Sequence, residues 1–178
     1  AQAVDEPDDE DLISAARLFV ALHDHMRAHD FAAASVGCLE EMYQHAVRPF
    51  CFVLATLRDM GLPAGCESDA TATLTMLVLE YLAGRPAYMG NLVLADPAQN
   101  LVAVSHGCSP RYMYGRDAQP LPYRLVHSHS VPPFSRDASG GAGLTSYVNY
   151  GQAGQAVTLC RMAADLDEFF VAGGEIVE

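Results

Sequence analysis

Three short stretches of this 178-residue sequence combine residue types that can do chemistry. The first is Leu62-Pro-Ala-Gly-Cys-Glu67-Ser-Asp69, where a carboxylate follows a short apolar run and precedes a helical one. Open α/β sheets place their ligands at the carboxyl ends of strands. A glutamate there can give a hard oxygen to a metal and accept a proton from a carbon acid. Equally, Ser68 or Asp69 can be a helix N-cap and Glu67 an acid of the first turn, favoured by the helix dipole. The second is Asn91 with His106, on two strand-like segments joined by a turn. Val104-Ser-His106-Gly-Cys108 sets an imidazole at a strand end beside a glycine, where backbone can be approached closely. Neutral imidazole suits manganese, zinc or iron, although a single strand-end histidine is as often a satisfied polar residue. The third is His127-Ser-His129. On a strand both rings share a face, as a metal requires; the flanking serines and Pro132-Pro133 favour a loop, where that face is lost.

The elements that must position these residues follow from periodicity. From Asp9 to about His29, Leu12, Ile13, Ala16, Phe19, Val20 and Met26 recur at helical spacing, with Asp8 or Asp9 as cap. Phe31 to Gly37 is short and uncharged, which predicts a buried strand. A second helix is expected from Leu39 to Met60, kinked at Pro49 and stopped by Gly61. Leu62 to Cys66 predicts another strand, and Ser68 and Asp69 cap a helix from Ala70 to Leu82 that ends at Gly84 and Pro86. Residues 1–86 therefore read as a partial α/β layer domain with a parallel sheet of two strands, behind a solvated acidic lead at 1–10.

Residues 87–178 read as β-rich, a small antiparallel sandwich or barrel. Tyr88 to Ala95 and Leu101 to Ser105 flank Asp-Pro-Ala-Gln-Asn, a good turn. Tyr123 to Val126 is a further strand. Gly143 to Tyr150 and Ala156 to Met162 predict a second hairpin, and Phe169 to Val177 a third that turns at Gly173-Gly174. Met60, Met76 and Met89 read as core filler.

Composition excludes several function classes. Ten basic against twenty-two acidic side chains give a net charge of -12, which repels phosphate backbones, so no nucleic-acid partner is expected. The apolar run 72–79 is too short to span a bilayer, and no membrane association is expected. Five scattered cysteines without a Cys-x-x-Cys motif suit reduced, mostly buried thiols and a cytoplasmic location better than a disulfide framework.

In order along the chain, Gly37-Cys-Leu-Glu-Glu, Leu54 through Asp69, Thr73-Leu-Thr-Met-Leu, Tyr88-Met-Gly-Asn-Leu, Val104-Ser-His106, Thr158-Leu-Cys-Arg161 and Gly174-Glu-Ile resemble the carboxyl-terminal part of the L-fucose isomerase-like superfamily, which includes the arabinose isomerases. The resemblance implies metal-dependent interconversion of an aldose and a ketose through a cis-enediol, usually with manganese, on a monosaccharide, in a homo-oligomer. By position, Glu67 resembles the first carboxylate ligand and proton shuttle, Asn91 falls at or beside the second carboxylate ligand, and His106 matches a metal-binding histidine of the arabinose branch. Asp69 and Arg111 are expected to contact the sugar; Arg111, Arg116 and Arg124 are candidate anchors for an anionic one. Two departures stand out. Asparagine at 91 keeps a carbonyl ligand but carries no proton, and the family's earlier α/β segments and a later histidine ligand have no counterpart. Two expectations follow: an isomerase or a piece of one, and, alternatively, a non-catalytic sugar-binding or assembly module that kept the fold.

Overall fold

The first helix is set by its own cap. In the computed structural model, which describes residues 3–4, 7–38, 51–127, 144–151 and 153–177, helix α1 (Asp9–Ala28) begins behind Asp8. The Asp8 carboxylate accepts from the Asp11 amide at 3.0 Å, and the Asp11 carboxylate accepts from the Asp8 amide at 3.3 Å. This reciprocal box satisfies two amides that a helix start leaves open. Asp11 is also buried against β6 (Tyr123–His127), its Oδ2 2.8 Å from His127 Nε2. The imidazole considered as half of a metal pair thus ties α1 to a strand instead; His129 lies outside the described residues.

Helix α2 (Cys51–Asp59) buries most of its length, and α3 (Ala70–Ala83) starts at its cap Asp69 and ends at Gly84, whose φ of 65° is left-handed. The expected helical stretch 39–50, with its kink at Pro49, lies outside the described residues. Between these helices, β2 (Ala34–Ser35) and β3 (Ala64–Gly65) pair in parallel, Ala34 opposite Ala64 and Ser35 opposite Gly65. Gly65 is required by contact: a Cβ there would run into Thr73 Oγ1 of α3. Its absence lets α3 close directly on the strand that leads to Glu67.

The hairpin of β4 (Asn91–Asp96) and β5 (Leu101–Ser105) is antiparallel and sets Asn91 opposite Ser105, one residue before His106. Its turn is fixed by Asp96, whose Oδ1 accepts from the amides of Ala98 and Gln99 at 3.0 and 3.2 Å, and by Asn100 with φ 51°. The register shifts between Leu92 and Leu94, so Val93 forms a bulge next to Asn91.

The later strands pair differently from expectation. Strand β7 (Leu144–Val148) joins β6 and not β8, and β1 (Ala3–Val4) runs parallel to β6 on its other side, so part of the acidic lead is strand. Strand β8 (Ala156–Met162) pairs with β9 (Phe169–Glu175), which continues through Gly173 and Gly174 without turning. The sequence supplies β-propensity there but not the choice of partner, which depends on what each strand packs against. Strand β7 lies on α2, and β8 lies on α3, where the Met162 amide donates to Thr75 Oγ1 at 3.0 Å. No described helix is long and apolar enough to cross a membrane.

At the centre lies Arg58 of α2, 1% exposed. Its Nε donates to the Ala64 carbonyl of β3 and its Nη1 to the Cys108 carbonyl beyond β5, each at 2.7 Å; its Nη2 approaches Met89 Sδ at 3.7 Å. Met89 is therefore more than filler, its sulfur also receiving the Cys66 amide at 3.5 Å. Met76 is core, whereas Met60 is 52% exposed. Around Arg58 pack Met26, Leu54, Leu57 and four of the five cysteines.

Replacing Arg58 with Met keeps the volume but orphans two buried carbonyls, each worth about 1–3 kcal/mol. Arg58→Met should lower stability by about 2–6 kcal/mol in urea unfolding, the sum for the two carbonyls. A loss below about 1 kcal/mol would show that the guanidinium is not the tie between these segments.

Candidate active site at the end of strand β3

Leaving β3, the chain places Glu67 and Ser68 in succession at φ 60° and 56°, both left-handed. Residues with a Cβ lose about 1–2 kcal/mol each in that region. The turn is held by the Ser68 amide donating to the Val36 carbonyl and the Asp69 amide to the Cys66 carbonyl, both at 3.1 Å. Glu67 is consequently not a first-turn acid of α3. The twist separates it from the helix and turns its carboxylate toward the β4–β5 hairpin.

There it meets both hairpin candidates. Asn91 Nδ2 donates to the two Glu67 oxygens at 3.3 and 3.1 Å, and His106 Nε2 lies 3.7 Å from Oε1. The His106 side chain is only 6% exposed. The Cys108 amide donates to its Nδ1 at 3.3 Å, which puts the proton of the neutral ring on Nε2. That Nε2 is fully buried and has no hydrogen-bond partner among the described residues. Burial lowers the His106 pKa; the Cys51 and Glu67 charges pull the other way without reversing it, and Arg58 adds to the lowering. A carboxylate, an amide and a neutral imidazole, drawn from three segments, thus converge on one partly open point. They can bind a cation, bind hydroxyls, or move a proton.

The other expected contacts are engaged elsewhere. Asp69 caps α3 through Oδ1, which accepts from the Ala72 amide at 2.8 Å, while Oδ2 accepts from Arg161 Nη1 of β8 at 2.7 Å. Burial raises the Asp69 pKa, but the bonds from Arg161 and Ala72 outweigh it and hold the carboxyl below its ordinary value. Arg111 Nε donates to Asp59 Oδ2 at 2.7 Å and its guanidinium covers the Tyr123 ring at 4.9 Å. Arg116 donates to Glu80 Oε2 at 2.9 Å and to the Arg58 carbonyl at 3.0 Å. Both brace the end of α2.

Two features escaped the sequence reading. Arg161 is a half-exposed cation joining β8 to the helix cap two residues beyond Glu67, and it also lines a groove of about 450 Å³ with Ala163, Glu168, Phe169 and Phe170. Cys38, Cys51, Cys66 and Cys108 gather behind the site, with Cys38 Sγ 2.7 Å from Cys66 Sγ. Thiol hydrogen bonds, chiefly from Cys108, hold the Cys51 pKa down, and those with Cys108, Cys38 and Cys51 push Cys66 up. The available signal was adjacency: Cys66 precedes Glu67, and Cys108 follows His106 by two.

Comparison with curated proteins finds sugar isomerases. The chain is 33% identical over 90 residues to a sulfoquinovose isomerase of Clostridium sp. (strain MSTE9), covering 51% of this chain and 20% of that protein. It is 25% identical over 99 residues to one from Alkalicoccus urumqiensis and 27% identical over 99 residues to one from Priestia aryabhattai, each match covering 55% of this chain and 22% of the relative. The chain thus spans about a fifth of the length of these curated relatives. No family model matches it, and no solved structure does.

Because the folded His106 binds its proton more weakly than a free histidine, the unfolded chain protonates first as pH falls. The contribution of this ring to stability is complete above about pH 6.5, the ordinary value, and declines below it. Ring resonances of His106 should titrate with a midpoint under about 6.5, and a midpoint above it would contradict the buried neutral ring. Ser68→Gly should relieve the left-handed strain and raise stability by about 1 kcal/mol in thermal unfolding.

Proposed function

We propose that Glu67, Asn91 and His106 form the cation-holding and proton-transferring corner of an aldose–ketose isomerase of the L-fucose isomerase-like type, acting on a monosaccharide. The observation that carries this is the convergence of the Glu67 carboxylate on the orphaned, buried Nε2 of His106, 3.7 Å away, across a strained turn. Similarity over half the chain to sulfoquinovose isomerases supports the reaction class.

The donor set suits a divalent ion of the manganese class, which takes carboxylate, carbonyl and imidazole ligands. Glu67 would hold it through a carboxylate oxygen, and Asn91 through its carbonyl once the amide, now donating to Glu67, turns over. His106 would hold it through Nε2 with the ring proton moved to Nδ1, giving up the contact from the Cys108 amide. When bound, such an ion supplies Lewis acidity to neighbouring sugar oxygens.

The chain's own residues account for the proton movements. Glu67 takes the proton from C2 of the aldose and returns it to C1, while the O2 hydroxyl gives up a proton and O1 gains one, so the sugar is isomerised without net change. Asn91 cannot carry a proton, which leaves this work to Glu67. Its amide instead fixes the carboxylate orientation before substrate arrives. The neutral His106 ring beside Glu67 does not compete for the abstracted proton. Sulfoquinovose, the sugar in the relatives' name, is the first substrate to test. Leu92, Val93 and Leu94 are each more than half exposed on β4, and a homo-oligomer is the proposed cover.

A second reading, a sugar-binding or assembly module without chemistry, is favoured by one observation. Asn91 bonds both oxygens of Glu67 and so occupies the base.

Calorimetric titration separates the two. Manganese should bind, Glu67→Gln should weaken it by at least about tenfold through the lost charge, and Asn91→Asp should strengthen it by about tenfold or more. A colorimetric ketose assay with sulfoquinovose, fucose and arabinose should show turnover that Glu67→Gln abolishes. Sugar binding with no manganese affinity and no turnover would favour the module.

A further inference from the structure

The four clustered thiols are not used by the chemistry above, yet two of them adjoin one of its residues, His106. The metal-binding atoms of Cys66, His106 and Cys108 all lie within 4.8 Å of one another. Ligands of a tetrahedral zinc ion, about 2.0–2.3 Å from the metal, stand somewhat closer than this, so an ion fits after a sub-ångström contraction. Cys51 of α2 packs against the backbone that carries two of these ligands: a Cβ at Gly107 would stand 3.2 Å from its Sγ, so the His106-Gly-Cys108 backbone is pressed against it. A second sign is His106 itself, whose one open ring position either site could use. Its side chain is 94% buried, and its Nε2 has no hydrogen-bond partner among the described residues.

We infer that Cys66, His106 and Cys108 form a three-ligand site, its fourth position left to a solvent ligand, for a thiophilic d¹⁰ cation, zinc or cadmium, that withdraws His106 from the Glu67 constellation. Thiolate–imidazole sets select such ions, whereas Glu67 and Asn91 offer hard oxygens. Binding releases one proton from each thiol that ligates, so the ion enters as a dication and protons leave to solvent. A neutral imidazole has one ring lone pair for a metal, the other nitrogen carrying the proton. Whichever nitrogen the thiol-bound ion takes, His106 cannot also ligate a second ion. Occupancy of the thiol site therefore opposes occupancy of the hard site. This last step rests on the function proposed above; the thiol site itself does not.

Cobalt(II) added to the reduced 178-residue chain is the probe. One equivalent should give the near-ultraviolet sulfur-to-cobalt charge-transfer band and the intense visible bands of a tetrahedral site, and zinc should bleach both. Cys66→Ser and Cys108→Ser should each weaken cobalt binding by more than about a hundredfold, the upper end of what even outer-shell partners contribute. Cys160→Ser, outside the cluster, and Glu67→Gln should leave the spectrum unchanged. Circular dichroism of each variant identifies any that has failed to fold; for those, proton release on adding zinc to the folded wild type, read with an indicator dye, replaces the measurement, and release of about one proton per ligating thiol is the supporting result. A weak octahedral spectrum, loss of the bands in Cys160→Ser or Glu67→Gln, or zinc addition without proton release would overturn the site. Manganese titration of the zinc-loaded chain tests the antagonism: affinity should fall at least about tenfold, and an unchanged affinity overturns it. Failure of manganese to bind the zinc-free chain, with the cobalt spectrum intact, removes the hard-site function and leaves the thiol site standing.

Discussion

A buried guanidinium organises the segments that carry the candidate chemistry. Arg58 reaches β3 through the Ala64 carbonyl, the segment after β5 through the Cys108 carbonyl, and the approach to β4 through Met89. These are the three places from which Glu67, His106 and Asn91 emerge. A charge removed from water must be bonded or it destabilises the fold severely, and here the acceptors come from segments that do not pair with one another as strands. Held this way, two short strands and a hairpin act as one support. The Arg111–Asp59 pair and the Arg116 contacts to the Asp59 and Arg58 carbonyls anchor the same end of α2 from outside.

The support explains why the turn at Glu67 and Ser68 persists. Two successive left-handed residues with side chains oppose their own backbone preference by roughly 2–4 kcal/mol together. They stay because the flanking residues are fixed: Cys66 by the core and the Met89 sulfur, Asp69 as the cap of α3. The result is a carboxylate aimed across the sheet end instead of along the helix.

What was legible in the sequence is what local chemistry decides. Helices α1 and α3 follow from Asp8, Asp69 and Gly84, and the β4–β5 hairpin from the turn at Asp96 to Asn100, since caps and turns are satisfied within a few residues. Glu67 and His106 drew attention by type and context, and the fold brings them together. The left-handed turn was hidden, because neither glutamate nor serine announces it as glycine would. The gathering of Cys38, Cys51, Cys66 and Cys108 was hidden too, being a product of tertiary packing between residues far apart in the chain. Strand pairing failed for the same reason. The sequence shows β7, β8 and β9 as strands, but β7 prefers β6 because α2 offers it a floor, and β8 takes β9 above α3.

The bond between Asp11 and His127 spans 116 residues. Helix α1 can cap itself as soon as it is made, yet its buried carboxylate has no imidazole until β6 has left the ribosome. At about 5–20 residues per second, that interval is on the order of ten seconds. Throughout it, helix α1 can already pack on α2, but residues 3–4 have no strand to pair with and Asp11 has no imidazole to meet. Final closure of this end of the molecule is therefore a late event in its synthesis, governed by loop closure and not by helix formation.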